Sequence, residues 1–157
     1  MTVSILEKCG FLINIEKFID LPSQIIEYLD LIINSRRLAL FLRKEKITEI
    51  SELCRNDRHQ ASVSLREIAR ILGDLTWAIK AIPYAQAHYK SLQSQYIKGC
   101  KQSGDSLDSA IVLDSYSKDN FAWWIANVGN LNGRPMSASD PDLVIYSDAS
   151  LSGWGPF

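Results

Sequence analysis

Asp148 ends the run of strand formers in "LVIYSDASLSGWGPF", and small and turn residues follow it at once. A carboxylate at the C-terminal end of a strand, beside such a turn, is a common position for a Mg²⁺ ligand. The ion takes a few carboxylate oxygens together with waters and phosphate oxygens. Two-metal phosphodiester chemistry needs several carboxylates around ions about 3.5–4 Å apart, and none follows Asp148 in the chain. On spacing alone the plainer reading, a turn aspartate capping a strand end, is the stronger one.

Cations form the second group with chemical potential. Arg36, Arg37, Arg43, Lys44, Lys46, Arg55, Arg58, Arg66 and Arg70 crowd one stretch of the chain. Arg66 and Arg70 are four apart and share a helical face, and Arg36 and Arg37 fall at a hairpin tip. Such a group can hold a phosphate backbone without reading bases. It can equally be a solvated face ion-paired to Glu45, Glu49 and Glu67, which adds little stability. Charge distribution leaves both readings open. Net charge is −1, yet residues 36–103 hold thirteen Lys/Arg against six Asp/Glu, while 104–157 hold two against seven. A basic middle between acidic ends suits a phosphate-contacting segment.

Other reactive side chains read as structural. His59 and His88 have no Cys or carboxylate at ligand spacing and suit exposed or core-edge positions. Cys9, Cys54 and Cys100 are too widely spaced for a metal site or a disulfide framework and read as free buried thiols. Trp124 belongs to an apolar helix face. Its neighbour Trp123 points elsewhere, to pack on another part of the protein or to stack on a base. "YLDL" at 28–31 lacks the second Asp of a polymerase-type Tyr-x-Asp-Asp, so Tyr28 and Leu29 read as strand residues. No Gly-rich phosphate loop and no nucleophile elbow occurs.

The elements that must position these residues follow from local pattern. Apolar residues make up 46% of the 157 residues, enough for a packed core. "SILEKCGFLIN" ends a helix closed by Gly10, and "FLINIEKFI" looks extended. Two β-rich runs, 25–33 and 38–42, flank "NSRR" as a hairpin. From residue 43 the period becomes helical: Ile47, Ile50, Leu53 and Cys54 share a face. A capping box of Ser64 and Glu67 opens a helix whose stripe is Leu65, Ile68, Ala69, Leu72, Leu75 and Ile79. A third helix starts near Pro83 and stops by Gly104. A fourth, N-capped by Asp114, aligns Phe121, Trp124, Ile125 and Val128. "NLNGRPMSASDPD" reads as loop. "LVIYS" reads as a short buried strand with no pairing partner nearby, so it must pair with the N-terminal hairpin or with something absent. No basic segment leads into an apolar run at the N-terminus, and no stretch approaches about 18 apolar residues. An intracellular protein, cytoplasmic or nuclear and without membrane contact, is expected.

In order, "LEKCGFLINIEKFIDLPSQIIEYLDLIINS", "SLREIARILGDLTWAIKAIP", "WWIANVGNLNGRP" and "PDLVIYSDASLSGWG" resemble the reverse transcriptase–RNase H region of DIRS-type (tyrosine-recombinase) retrotransposons. The resemblance covers almost the whole chain. It implies that residues 1–42 hold the end of the palm and a primer-grip hairpin (26–42). It makes 43–103 a thumb-like helical bundle resting on the template–primer duplex, 104–140 the connection, and 141–157 the start of an RNase H-like domain. Asp148 would then be the first Mg²⁺-binding carboxylate, and Arg36, Arg37, Arg43, Lys44, Lys46, Arg66 and Arg70 would contact an RNA–DNA or DNA duplex. The chain departs from the family at Asp30, where Gly is usual, and at Phe18, where Ser or a similar residue stands. A carboxylate at Asp30 would repel a primer phosphate.

The expected architecture is mainly α with small β elements: a β-hairpin, a thumb-like bundle, and the first strand of an incomplete RNase H-like domain. The resemblance places the polymerase carboxylates before Met1 and the remaining RNase H carboxylates after Phe157. It therefore implies a fragment without catalysis of its own, with Mg²⁺ only in a completed site. Weak, sequence-independent duplex binding would remain. Faces left by the missing palm and RNase H parts would favour self-association. Two rival expectations are a co-opted helical protein-interaction module and an enzyme assembled in trans.

Overall fold

The computed structural model describes residues 2–14, 16, 19, 21–104, 106–137, 143–144, 146–150 and 153–156, without side chains for Thr2 and within 147–156. The architecture is mainly helical with small antiparallel sheets. Helix α1 (Thr2–Lys8) closes on Gly10 at φ +84. The Phe11 amide donates to Leu6 O and the Gly10 amide to Glu7 O, which completes a Schellman motif. Phe11–Asn14 form no strand, contrary to the extended reading of "FLINIEKFI". Ile15, Lys17 and Phe18 lie outside the described residues.

The expected hairpin is a meander of three strands, β1 (Ile25–Tyr28), β2 (Leu31–Asn34) and β3 (Ala39–Leu42). The continuous run 25–33 is broken by a turn at Leu29 and Asp30, whose φ values are +49 and +64. Leu29 is therefore a turn residue, not a strand residue. The second connection, residues 35–38, is held by Asn34 Oδ1, which accepts from the Arg37 amide at 3.0 Å.

Helices α2 (Lys44–His59) and α3 (Leu65–Ala78) follow. Ser64 and Glu67 form the expected capping box. The short strands β4 (Val63–Ser64) and β5 (Ala110–Ile111) pair across the start of α3. Its first amides are also consumed: Leu65 donates to Ser109 O and Arg66 to Leu107 O. The third helical stretch is divided into a 3-10 helix (Ala85–His88) and α4 (Lys90–Ser103), ended by Gly104 at φ +61. A Cβ on Gly99 of α4 would sit 2.7 Å from Leu65 Cδ2, so glycine lets α4 approach α3 closely. Helix α5 (Ser115–Asn127) starts at Asp114, whose carboxylate accepts from the Ser117 amide at 2.7 Å. Phe121, Trp124 and Val128 are buried, as their spacing requires.

Part of the stretch read as loop is structured. Arg134 and Pro135 form β6 beside β3, giving the order β1-β2-β3-β6. Asn132 binds Leu42 twice: its Oδ1 accepts from the Leu42 amide and its Nδ2 donates to Leu42 O. Gly133, at φ +139, is required because a Cβ would lie 2.7 Å from Phe41. One cluster of buried side chains runs from Leu31 and Leu42, through α2, α3 and α4, to Val128. Among the described residues no helix is long and apolar enough to cross a membrane.

The terminal strand also differs from expectation. Leu143, Val144 and Tyr146 are exposed and belong to no strand. Strand β7 (Ser147–Ser150) pairs locally with β8 (Gly153–Pro156), a partner the sequence reading did not find because Gly and Pro weaken any strand signal.

Candidate nucleic-acid interface

Strand direction divides the candidate cations. β2 runs from the Leu29–Asp30 turn to the 35–38 tip, and β3 runs back. Arg36 and Arg37 therefore sit at one end of the sheet. Arg43, Lys44 and Lys46 sit at the other, roughly 13 Å away for four residues at about 3.4 Å each. The hairpin cations therefore form two groups rather than one cluster.

At the far end, carboxylates answer the cations. Arg43 pairs with Glu27 at 2.8 Å and with Asp30. Asp30 is thus engaged, and it lies at the opposite end of the sheet from Arg36 and Arg37. Lys46 is largely buried between Asp74 at 2.6 Å and Glu49 at 3.0 Å. Burial alone would lower its pKa, but its hydrogen bonds to Asp74 and Glu49 outweigh that and hold it above the usual lysine value. Such a lysine is a poor phosphate ligand. Lys44, exposed at the first residue of α2, has no carboxylate partner among the described residues.

On α3, Arg66 pairs with Asp108 at 2.9 Å, and Arg70 lies 3.9 Å from Glu49. Both arginines are about two-thirds exposed, so these pairs add little stability, but each carboxylate offsets part of the charge its arginine would present to phosphate. The α3 N-terminus itself offers no anion site, since Ser64, Leu107 and Ser109 already take its amides.

The tip differs. Arg36 Nε donates to Gln24 Oε1, which leaves its four other N–H donors, and Ser35 donates to Gln24 O through its amide and its hydroxyl. The Arg37 guanidinium carbon stands 5.1 Å from the Phe41 ring centroid. Neither arginine has a carboxylate partner among the described residues, and both are exposed.

Leu40 of β3 and residues 134–137 border a groove of about 800 Å³. Met136 N donates to Leu38 O at 2.8 Å, and Arg134 stands opposite Leu40, so β6 forms one wall. Lys80, Pro83 and Tyr84 form another. Arg134 Nη1 donates to Ile79 O at 3.0 Å, and Lys80 Nζ lies 4.4 Å from the Trp77 ring centroid. Sequence reasoning missed this group. Lys80 and Arg134 are 54 positions apart, and the β3–β6 pairing together with the Gly133–Ala81 and Arg134–Ile79 hydrogen bonds brings them together.

Asp148 is the second residue of β7, opposite Gly155, and not the last residue of a strand. Its side chain lies outside the described atoms. Among the described residues no group of three or more His, Cys, Asp or Glu could hold a metal ion.

The remaining candidates are structural. His88 Nδ1 lies 2.8 Å from Asn120 Oδ1, and Asn120 Nδ2 donates to Ser91 Oγ and Tyr116 O. The amide oxygen therefore accepts, and His88 Nδ1 carries the proton. Trp123 stacks on the His88 ring at 4.0 Å and 11°, so one of its faces is occupied by the protein's own imidazole. His59 is exposed at the end of α2. Cys54 is buried, and burial pushes its thiol pKa up, making it inert. Cys100 is half-buried, but Cys9 is exposed and does not fit the buried-thiol reading.

No family model matches the chain, and no curated protein or solved structure matches it.

Proposed function

We propose that this chain is the primer-grip, thumb and connection part of a DIRS-type reverse transcriptase. In this reading it binds RNA–DNA or DNA duplex through phosphates and without sequence preference. The observation that carries the proposal is the 35–38 tip: two exposed arginines, no answering carboxylate among the described residues, and a backbone pinned to Gln24. The order of a β-meander followed by packed helices supports the same reading. Asp148 would act only as one Mg²⁺ ligand of a completed RNase H-like site.

The exposed apolar side chains Phe11, Leu12, Ile25, Tyr28 and Leu29 favour a second reading, a protein-interaction module without a nucleic-acid role. A salt titration of blunt-duplex binding separates the two. Each phosphate contact contributes about 0.9 to the slope of log affinity against log salt. Arg36→Ala with Arg37→Ala should lower that slope by nearly 2. Arg66→Ala with Arg70→Ala should lower it less, because Asp108 and Glu49 already screen those charges. Absence of duplex binding at low salt would overturn the proposal and leave the second reading.

A further inference from the structure

We propose that the groove between β6 and the 79–84 connection binds a single-stranded nucleic-acid segment, with one base stacked on Tyr84 and its phosphates held by Lys80 and Arg134. This deepens the nucleic-acid reading and rests on it. Four observations converge. Tyr84 is 81% exposed, and its φ of +63 is a conformation that non-glycine residues rarely adopt. Strained backbone that presents an exposed side chain marks a place to look for function. Lys80 and Arg134 line the same groove, and among the described residues no carboxylate does. Arg134 spends one donor on Ile79 O and keeps the others. The volume falls within the range of pockets that enclose a ligand the size of a nucleotide.

The chemistry selects a single strand. An aromatic ring stacks on any base, but only on one whose face is free, and a cationic groove then tracks the backbone. The groove runs along β6, whose Met136 amide donates to Leu38 O at the end of the 35–38 tip, so a strand leaving a duplex held at the tip would have the groove next to it.

The experiment is an anisotropy titration of the full chain with three labelled probes: an oligothymidylate of about ten nucleotides, an abasic strand of equal length, and a blunt duplex. Oligothymidylate should bind about tenfold tighter than the abasic strand. Tyr84→Ala should erase that preference while leaving blunt-duplex affinity unchanged, and Tyr84→Phe should retain it. Lys80→Ala should lower the single-strand salt slope by about 0.7. Thermal unfolding of each variant separates a lost contact from a lost fold. Equal affinity for the oligothymidylate and the abasic strand, or a preference that survives in Tyr84→Ala, would overturn the groove assignment even if duplex binding persists. A Tyr84-dependent single-strand preference without duplex binding would uphold the groove and overturn the duplex reading. Binding to none of the probes would overturn both.

Discussion

Asp57 is buried in α2 at 6% exposure. Burial, with Glu67 adding repulsion and Arg70 opposing it, pushes its carboxyl from an ordinary 3.8 up to about 6. The folded state therefore holds a proton that the unfolded chain releases between about pH 4 and pH 6. The contribution of Asp57 to stability is greatest below that window and falls as pH rises through it. Asp57→Asn should remove the burial penalty. The variant should be more stable than the parent at pH 7 by about 3 kcal/mol, with the advantage gone by about pH 4. Urea midpoints at the two pH values measure this. A variant destabilised equally at both would mean that the carboxylate serves a fixed contact instead. Asp114 runs the other way. The hydrogen bond from the Ser117 amide holds its pKa below the usual value, so its contribution is lost on acidification. Parent and variant share that loss, and it cancels. At this scale the sequence was legible where partners are local: Ser64 with Glu67, Asp114 with Ser117, Gly10 and Gly104 at helix ends. The carboxylates that answer Lys46 and Arg66 come from 28 and 42 residues away, and no spacing rule announces them.

Among elements, the β1–β2 turn shows how a residue choice and a backbone demand can disagree. Two-residue hairpin turns that match strand twist need positive φ at both central positions, hence their preference for Asn-Gly. Here Leu29 and Asp30 supply those conformations. Leucine is a poor fit, and the β-rich composition carried the strand reading straight through it. The apolar run 25–33 held no turn residue except Asp30, so the meander was not legible as three strands. Leu29→Asn with Asp30→Gly should stabilise the protein by about 1 kcal/mol by relieving left-handed strain. The lost Asp30–Arg43 pair is exposed and contributes little, and Glu27 remains beside Arg43. A lower urea midpoint in the double variant would show that Asp30 contributes more through Arg43 than its backbone costs. The same variant tests the Asp30 departure functionally. The turn lies at the far end of the sheet from Arg36, so duplex affinity should not change.

Across the whole molecule, a short polar segment joins the sheet to the helices. Asn132 satisfies both the amide and the carbonyl of Leu42 from 90 residues away, Gly133 donates to Ala81 O, and Arg134 donates to Ile79 O. The segment looked like linker because Asn, Gly and Pro dominate it. Its structure comes from side-chain mimicry of a strand rather than from strand propensity. The mainly helical class was readable from periodicity, whereas this tie was not, since it depends on where the chain returns. If one core spans Leu31 to Val128, breaking the tie should weaken every part together. Asn132→Ala leaves a buried amide and a buried carbonyl unpaired, which costs about 2 kcal/mol and lowers the melting temperature by roughly 6 °C. Asn132→Asp keeps the acceptor for the Leu42 amide and should fall between parent and alanine variant. Far-ultraviolet circular dichroism reads the helices. Exchange protection of the Ile33 and Leu40 amides reads the sheet. Both should shift by the same free energy in Asn132→Ala. Loss of protection in the sheet with an unchanged helical transition would mean that the meander folds as a separate unit, joined to the helices only by chain connectivity.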